Sequence, residues 1–277
     1  MTLPRMVLKR RTYHVVRRTL GRKFRLAPVE DVALILLYCL AVAASTYGVL
    51  IHAFAFMSNH IHLLLTDIRG DLPLFMAWFS SNSARSLNRL QGYRGSLWEN
   101  VPYSRFEILD EARFFQVMAY IMGNPVEAGL VNSARHWGLS VSTPDRLLRR
   151  AARFERPSHG FRTGDEAQPA IAKLKLSLPP MLKGMSPAAY RQRATAELAS
   201  RERFLRESVS AFLGIRACRE VDIDTSPDRG SPSSSITPPP MVEDEAARAE
   251  LAQERRDWRA RYRAAFALYR NRATRHK

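Results

Sequence analysis

Apolar positions in the first half of the chain change period several times, and each change marks an element. Residues 12–20, Thr-Tyr-His-Val-Val-Arg-Arg-Thr-Leu, are rich in β-branched and aromatic side chains and predict a strand. Pro28-Val29-Glu30-Asp31 then sets a proline and two acids before an apolar stretch, the pattern of a helix start. That helix should run to about Tyr47, with Gly48 as its cap. Residues 49–57 and 61–67 are apolar runs of strand formers separated by a short turn around Ser58-Asn59, which predicts a β-hairpin. Leu72 to Gln91 predicts a second helix, with Leu74, Phe75, Trp78 and Phe79 as its apolar face and Arg85 and Arg89 on another. After the loop Gly92-Tyr93-Arg94-Gly95, a short strand is expected around Tyr103 to Ile108. A third helix should start at Asp110 and end near Asn124-Pro125, because proline disfavours helical geometry in the residue before it.

The order β-α-β-β-α-β-α, with two direct or hairpin-like links, predicts an α+β fold. Its frame is a ferredoxin-like (RRM-like) antiparallel β-sheet with helices packed on it, followed by a basic helical C-terminal extension. The divisions expected are 1–140 as the sheet-bearing domain, 141–223 as a basic, partly helical extension, 224–242 as a Ser/Pro-rich disordered linker, and 243–277 as a charged helix. Within the extension, Ala188 to Phe212 reads as helix, whereas residues 141–185 show no assignable periodicity.

Composition narrows the classes. Val32 to Thr66 contains no Lys, Arg, Asp or Glu and follows a basic segment, so a membrane span has to be weighed. Gly48 divides the run, its second half is strand-rich, and Ser58-Asn59-His60 is a polar turn that lipid would leave unsatisfied. The expectation is a buried helix followed by two buried strands, with no membrane. Met1 to Arg25 carries nine basic residues and lacks the apolar stretch of a signal peptide. The two cysteines, Cys39 and Cys218, cannot build a disulfide framework or a cysteine zinc site, which fits a reducing, cytoplasmic setting. Lys and Arg number 43 against 26 Asp and Glu, a net charge of +17, and point to a polyanionic partner.

Two short motifs carry candidate chemistry. His60-Ile61-His62 opens an apolar strand, and residues i and i+2 of a strand face one side, about 7 Å apart along the backbone. Two such imidazoles suit one divalent cation, although a pair of half-buried sheet histidines has the same pattern. Tyr120 and Asn124 are four apart and share one helix face, which also fits a core tyrosine and a helix cap. Arg17, Arg18 and Arg22 around the first strand, and Arg105 near Trp98, Tyr103 and Phe106, combine phosphate-pairing and base-stacking groups, as single-stranded nucleic acid requires; a solvated charged surface looks similar.

Phe56-Met57-Ser58-Asn59-His60-Ile61-His62-Leu63-Leu64-Leu65 resembles the HUH motif (His, bulky hydrophobe, His) of single-tyrosine transposases of the IS200-like type. Tyr120-Ile121 through Asn124-Pro125-Val126-Glu127-Ala128-Gly129-Leu130-Val131 resembles their nucleophile helix, especially in REP-associated tyrosine transposases. Tyr47-Gly48-Val49 and Gly95-Ser96-Leu97-Trp98-Glu99 match as well, and the resemblance spans about residues 10–140. Three places depart from it: the loop Arg17-Arg18-Thr19-Leu20-Gly21-Arg22, where many relatives have Arg-Gly-Asn, and Gly123 and Glu127, where an apolar residue and an arginine are frequent.

The resemblance implies a bacterial, metal-dependent single-stranded DNA endonuclease and strand transferase. Tyr120 would be the nucleophile and form a 5′-phosphotyrosine. His60, His62 and Asn124 would hold Mg2+ or Mn2+, and Glu99 is an accessory candidate. The partner implied is single-stranded DNA, as a hairpin or repeat, and a homodimer is compatible with it. The competing expectation is a non-catalytic single-stranded nucleic-acid-binding module built on a ferredoxin-like sheet, which would carry aromatics where the histidines stand. A hydrolase of small phosphoesters would use the same His pair but gain little from the arginines, and an inactive transposase would not need all four motif residues intact.

Overall fold

The computed structural model describes residues 8–161, 168–227 and seven residues between 253 and 264. Its frame is a four-stranded sheet of β1 (Arg11–Arg18), β2 (Val49–Met57), β3 (His60–Asp67) and β4 (Ser104–Ile108). The strand order is β2-β3-β1-β4, with every neighbour antiparallel, which is the expected ferredoxin-like arrangement. Helices α1 (Glu30–Tyr47), α2 (Leu72–Leu90) and α3 (Glu111–Glu127) complete the β-α-β-β-α-β-α order.

Local chemistry explains the boundaries. Gly48 ends α1 in the left-handed region at φ 64°, a conformation with no Cβ penalty for glycine. Buried Asp67, at the end of β3, accepts backbone N–H bonds from Arg69, Gly70, Asp71 and Leu72 and so satisfies the exposed donors at the start of α2. Asp110 caps α3 by accepting from the Arg113 N–H at 2.7 Å. Two expectations need correction. Helix α3 does not stop at Asn124 but continues through Pro125 to Glu127, because the bond that proline forfeits falls in the last turn and the Asn124 carbonyl still accepts from Ala128 at 3.0 Å. On α2 the buried stripe is Leu72, Phe75, Met76, Phe79 and Leu87, while Leu74 is exposed.

Strands β2 and β3 are buried on both faces almost residue by residue. Helix α3 covers the face bearing His14 and His62, so the α1–α2 pair covers the other. The only described helix long and apolar enough to cross a membrane is α1, and it is an interior helix here. One flank packs on β2 and α2, and the other lies under a second, two-stranded sheet, β5 (Ala152–Glu155) with β6 (Ile171–Leu174). Tyr38 of α1 donates to the Pro169 carbonyl at 2.6 Å and meets Phe161 edge-on.

Packing crosses residue 140 without a break. Ser142 bonds Phe54 through its backbone N–H, and Ser177 bonds Ile51, so both segments cover the free edge of β2. Helix α4 (Pro187–Ser208) lies along α3, and Leu147, Ala172, Leu174, Leu176, Tyr190 and Leu198 belong to the same apolar core as the main sheet. Helix α5 (Ile215–Arg219) comes next, and Asp224, the first residue of the expected linker, pairs with Lys23 and Arg25 in the loop after β1. Residues 228–242 of that linker lie outside the described residues, as does most of the expected helix 243–277. Its seven described positions are helical and exposed.

Candidate active site

Register in the sheet assembles the site. His60 lies opposite Arg18 and His62 opposite Val16, so His14, Val16, Arg18, His60 and His62 point to one face. There the Nε2 atoms of His60 and His62 are 2.9 Å apart. Asn59 Oδ1 accepts from His60 Nδ1 at 2.6 Å, which leaves a bare lone pair on His60 Nε2. Nδ1 of His62 is 2.9 Å from Nε2 of His14, distant in sequence but adjacent in space.

Burial is the main force on these imidazoles. It pulls His14 down to about 3 and His62 well below its ordinary value. His60 also falls to about 3, through burial first and then the positive charges of Arg18 and Arg22. All three rings are therefore neutral near pH 7. Metal–nitrogen bonds of about 2.1 Å meeting at a right angle put their two nitrogens about 3 Å apart, so the His60–His62 spacing fits two ligands of one cation. Among the described residues no three His, Cys, Asp or Glu side chains converge as a ligand set, so further donors would have to come from an amide, DNA or water.

Helix α3 brings the phenol to this pair. The Tyr120 ring lies edge-on to His62 at 5.5 Å and to His14 at 5.8 Å. Asn124 is buried one turn later on the same helix face. Burial raises the Tyr120 pKa, with the Glu127 carboxylate acting the same way; Asn124, Arg201 and Arg18 pull it back. Each opposing group favours the phenolate, the form a nucleophile needs.

The arginines divide between the two sheet faces. Arg18 and Arg22 act on His60, and Arg22 sits at φ 56°, a left-handed conformation uncommon for a residue with a Cβ. Thr19 pins that loop to the hairpin turn by donating to Asn59 O at 2.9 Å and Lys23 O at 2.7 Å. Arg17 and Arg105, by strand parity, belong to the opposite face: Arg17 donates to the Val101 carbonyl, and Arg105 lies over the Tyr13 ring. The Glu99 backbone bonds Arg18 O at 3.0 Å, next to the site.

The sequence motifs do not single out two groups that the fold brings to the site. His14 carries a signal in the sequence, since it alternates with Val16 and Arg18 on one strand face. Arg201 carries a weaker one: Tyr190, Ala194, Leu198 and Glu202 mark the buried face of α4, and Arg201 flanks it. Arg201 lies over the Tyr120 ring and pairs with Glu127, so both departures in α3, Gly123 and Glu127, face it.

Residues 8–124 match the family model described as IS200-like transposase. This segment is similar to IS200-like transposase domains. The match takes in β1, the His60–His62 strand and α3 as far as Asn124. Among solved structures, the chain is similar to a REP-associated tyrosine transposase bound to a REP hairpin, at 16% identity and a TM-score of 0.45. That alignment covers 59% of this chain and 98% of the other. A second similar structure is described as a transposase from Deinococcus radiodurans R1, at 26% identity and a TM-score of 0.31, covering 44% of this chain and 95% of the other. No curated protein matches the sequence.

Proposed function

We propose that this chain cuts and rejoins single-stranded DNA through a covalent bond to Tyr120. The observation that carries the proposal is the seat of the Tyr120 phenol: edge-on to His62 and His14, one helical turn from Asn124, with Arg201 over its ring. The phenol oxygen attacks phosphorus, the new bond is Tyr120 O–P, and the bond that breaks is P–O3′. The phenol loses its proton, the departing 3′ oxygen takes one up, and the products are a 5′-phosphotyrosine and a free 3′-OH. Bond energy is conserved, so attack by another 3′-OH reverses the step without a nucleotide cofactor.

His60 and His62 would hold Mg2+ or Mn2+, with Asn124 as a third ligand. The cation supplies Lewis-acid polarisation of the scissile phosphate when bound. Asn59 fixes the His60 tautomer with Nε2 bare, and His14 Nε2 can accept the Nδ1 proton of His62 so that its Nε2 is bare too. Arg18 and Arg22 border the same face and suit the phosphates of the strand. Hairpin or repeat DNA is the substrate form we favour, from the likeness of both motifs to REP-associated transposases. The non-catalytic binding module is less well supported, because α3 lies across the sheet face such a module would leave open to bases.

Incubation with single-stranded hairpin DNA and Mn2+, followed by a denaturing gel, should give a protein–DNA adduct, and EDTA should abolish it. Adduct formation undiminished by EDTA would remove the metal from the scheme. DNA binding without an adduct under any divalent ion would favour the binding module.

A further inference from the structure

We propose that Arg201, carried by α4 outside the transposase-matched segment, belongs to the active site and contacts the scissile phosphodiester while Tyr120 attacks it. The proposal rests on Tyr120 being the nucleophile and extends it to a residue of the C-terminal extension.

Helices α3 and α4 run side by side in the same direction. Tyr190 packs on Phe114 and Phe115, and Arg193 lies over Phe115. Further along, Arg201 meets the stripe Tyr120, Gly123 and Glu127, which are spaced i, i+3 and i+7 on one face of α3. The guanidinium carbon is 5.1 Å from the centre of the Tyr120 ring. Nη2 donates to Glu127 Oε2 at 2.8 Å. Nε is buried and has no hydrogen-bond acceptor among the described residues, a donor that protein interiors rarely leave unsatisfied.

Room for this side chain comes from Gly123. A Cβ there would stand 3.2 Å from Arg201 Cδ, tighter than ordinary contact, so the arginine stem would have to give way by a few tenths of an ångström. The Glu127–Arg201 pair is a poor explanation for the arrangement by itself. Its side chains are 41% and 27% exposed, and exposed pairs contribute about 0–1 kcal/mol. A phosphodiester explains more. Its two non-bridging oxygens match the planar fork of a guanidinium, which an ammonium matches only as a point charge. Glu127 then serves as the resting partner, displaced when the phosphate of the bound strand arrives.

The test uses the full-length protein, Mn2+ and a pool of hairpin oligonucleotides of randomised sequence, with single-turnover adduct formation measured at saturating DNA. Arg201→Met, which keeps the stem against Gly123, should slow the reaction about ten- to hundredfold with the melting temperature unchanged. Arg201→Lys should recover part of the rate. Glu127→Gln breaks the same ion pair from the other side and should raise the rate, because it releases the guanidinium. Equal losses of rate in Arg201→Met and Glu127→Gln, accompanied by lower melting temperatures, would mean that the pair only holds two helices together and would overturn the proposal. An Arg201→Met rate equal to wild type would overturn it as well. Wild type without any adduct would remove Tyr120 as nucleophile, and this role for Arg201 with it.

Discussion

His14 Nε2 and His62 Nδ1 face each other at 2.9 Å across β1 and β3, from residues 48 positions apart in the chain. A histidine that ligates through Nε2 needs its Nδ1 proton accepted, and His14 is the group placed to accept it. His14→Ala should therefore raise the Mn2+ concentration needed for half-maximal adduct formation by about 10–100-fold. His14→Gln, whose amide oxygen can accept the same proton, should lose less. An unchanged metal requirement in His14→Ala would reduce His14 to core packing.

Cutting the chain at residue 140 should destroy the fold rather than trim it. That truncation would bare the edge of β2, the flank of α1 under Tyr38, and the faces of Phe114 and Phe115 that Tyr190 covers. Residues 1–140 should be insoluble or melt without a cooperative transition, whereas the full chain should melt cooperatively. A cooperative melt of 1–140 would show that the later segments are attached to a self-sufficient domain.

Much of the fold is legible in the sequence, for physical reasons that also mark where legibility stops. The α1–β2–β3–α2 run is readable because Gly48, Ser58-Asn59 and Asp71 break long apolar stretches with distinct periods. His60 and His62 declare a shared face by spacing alone, and Tyr120 with Asn124 by helical repeat. Residues 141–185 are opaque because they cover a sheet edge and one helix as short extended pieces, which need neither helical nor long alternating patterns. The end of α3 is misleading in the sequence because proline opposes helix only weakly when its missing bond falls in the last turn. Arg201 is hidden among many arginines, since only the packing of α4 on α3 shows which of them meets Tyr120.

Stability should fall as the solution is acidified from neutrality. His52 is wholly buried in the bulge of β2, with Nδ1 2.7 Å from the Ser177 carbonyl and Nε2 2.7 Å from Thr66 Oγ1. Burial lowers its pKa to about 4, from 6.5 when unfolded. Between those values the unfolded chain binds more protons, so this group's contribution is complete above about pH 6.5 and declines toward pH 4, by about 1.4 kcal/mol per pH unit. The stability read from urea melts between about pH 7.5 and 4.5 should fall more steeply than this one group requires, since burial lowers His14, His60 and His62 in the same way, and His52→Gln should reduce the slope by about 1.4 kcal/mol per pH unit. An identical slope in His52→Gln would assign the acid sensitivity to other groups.

Tyr120→Phe tests the central claim most directly, because it removes one oxygen and leaves the ring to pack against His14 and His62. The variant should fold with a melting temperature near that of wild type and still retain single-stranded hairpin DNA in a native gel. Peptide mass mapping of the wild-type adduct should find the nucleotide on Tyr120, and Tyr120→Phe should form no adduct at any Mn2+ concentration. An adduct that persists in the purified variant, or one that maps to Tyr103, would contradict the assignment of Tyr120 as nucleophile.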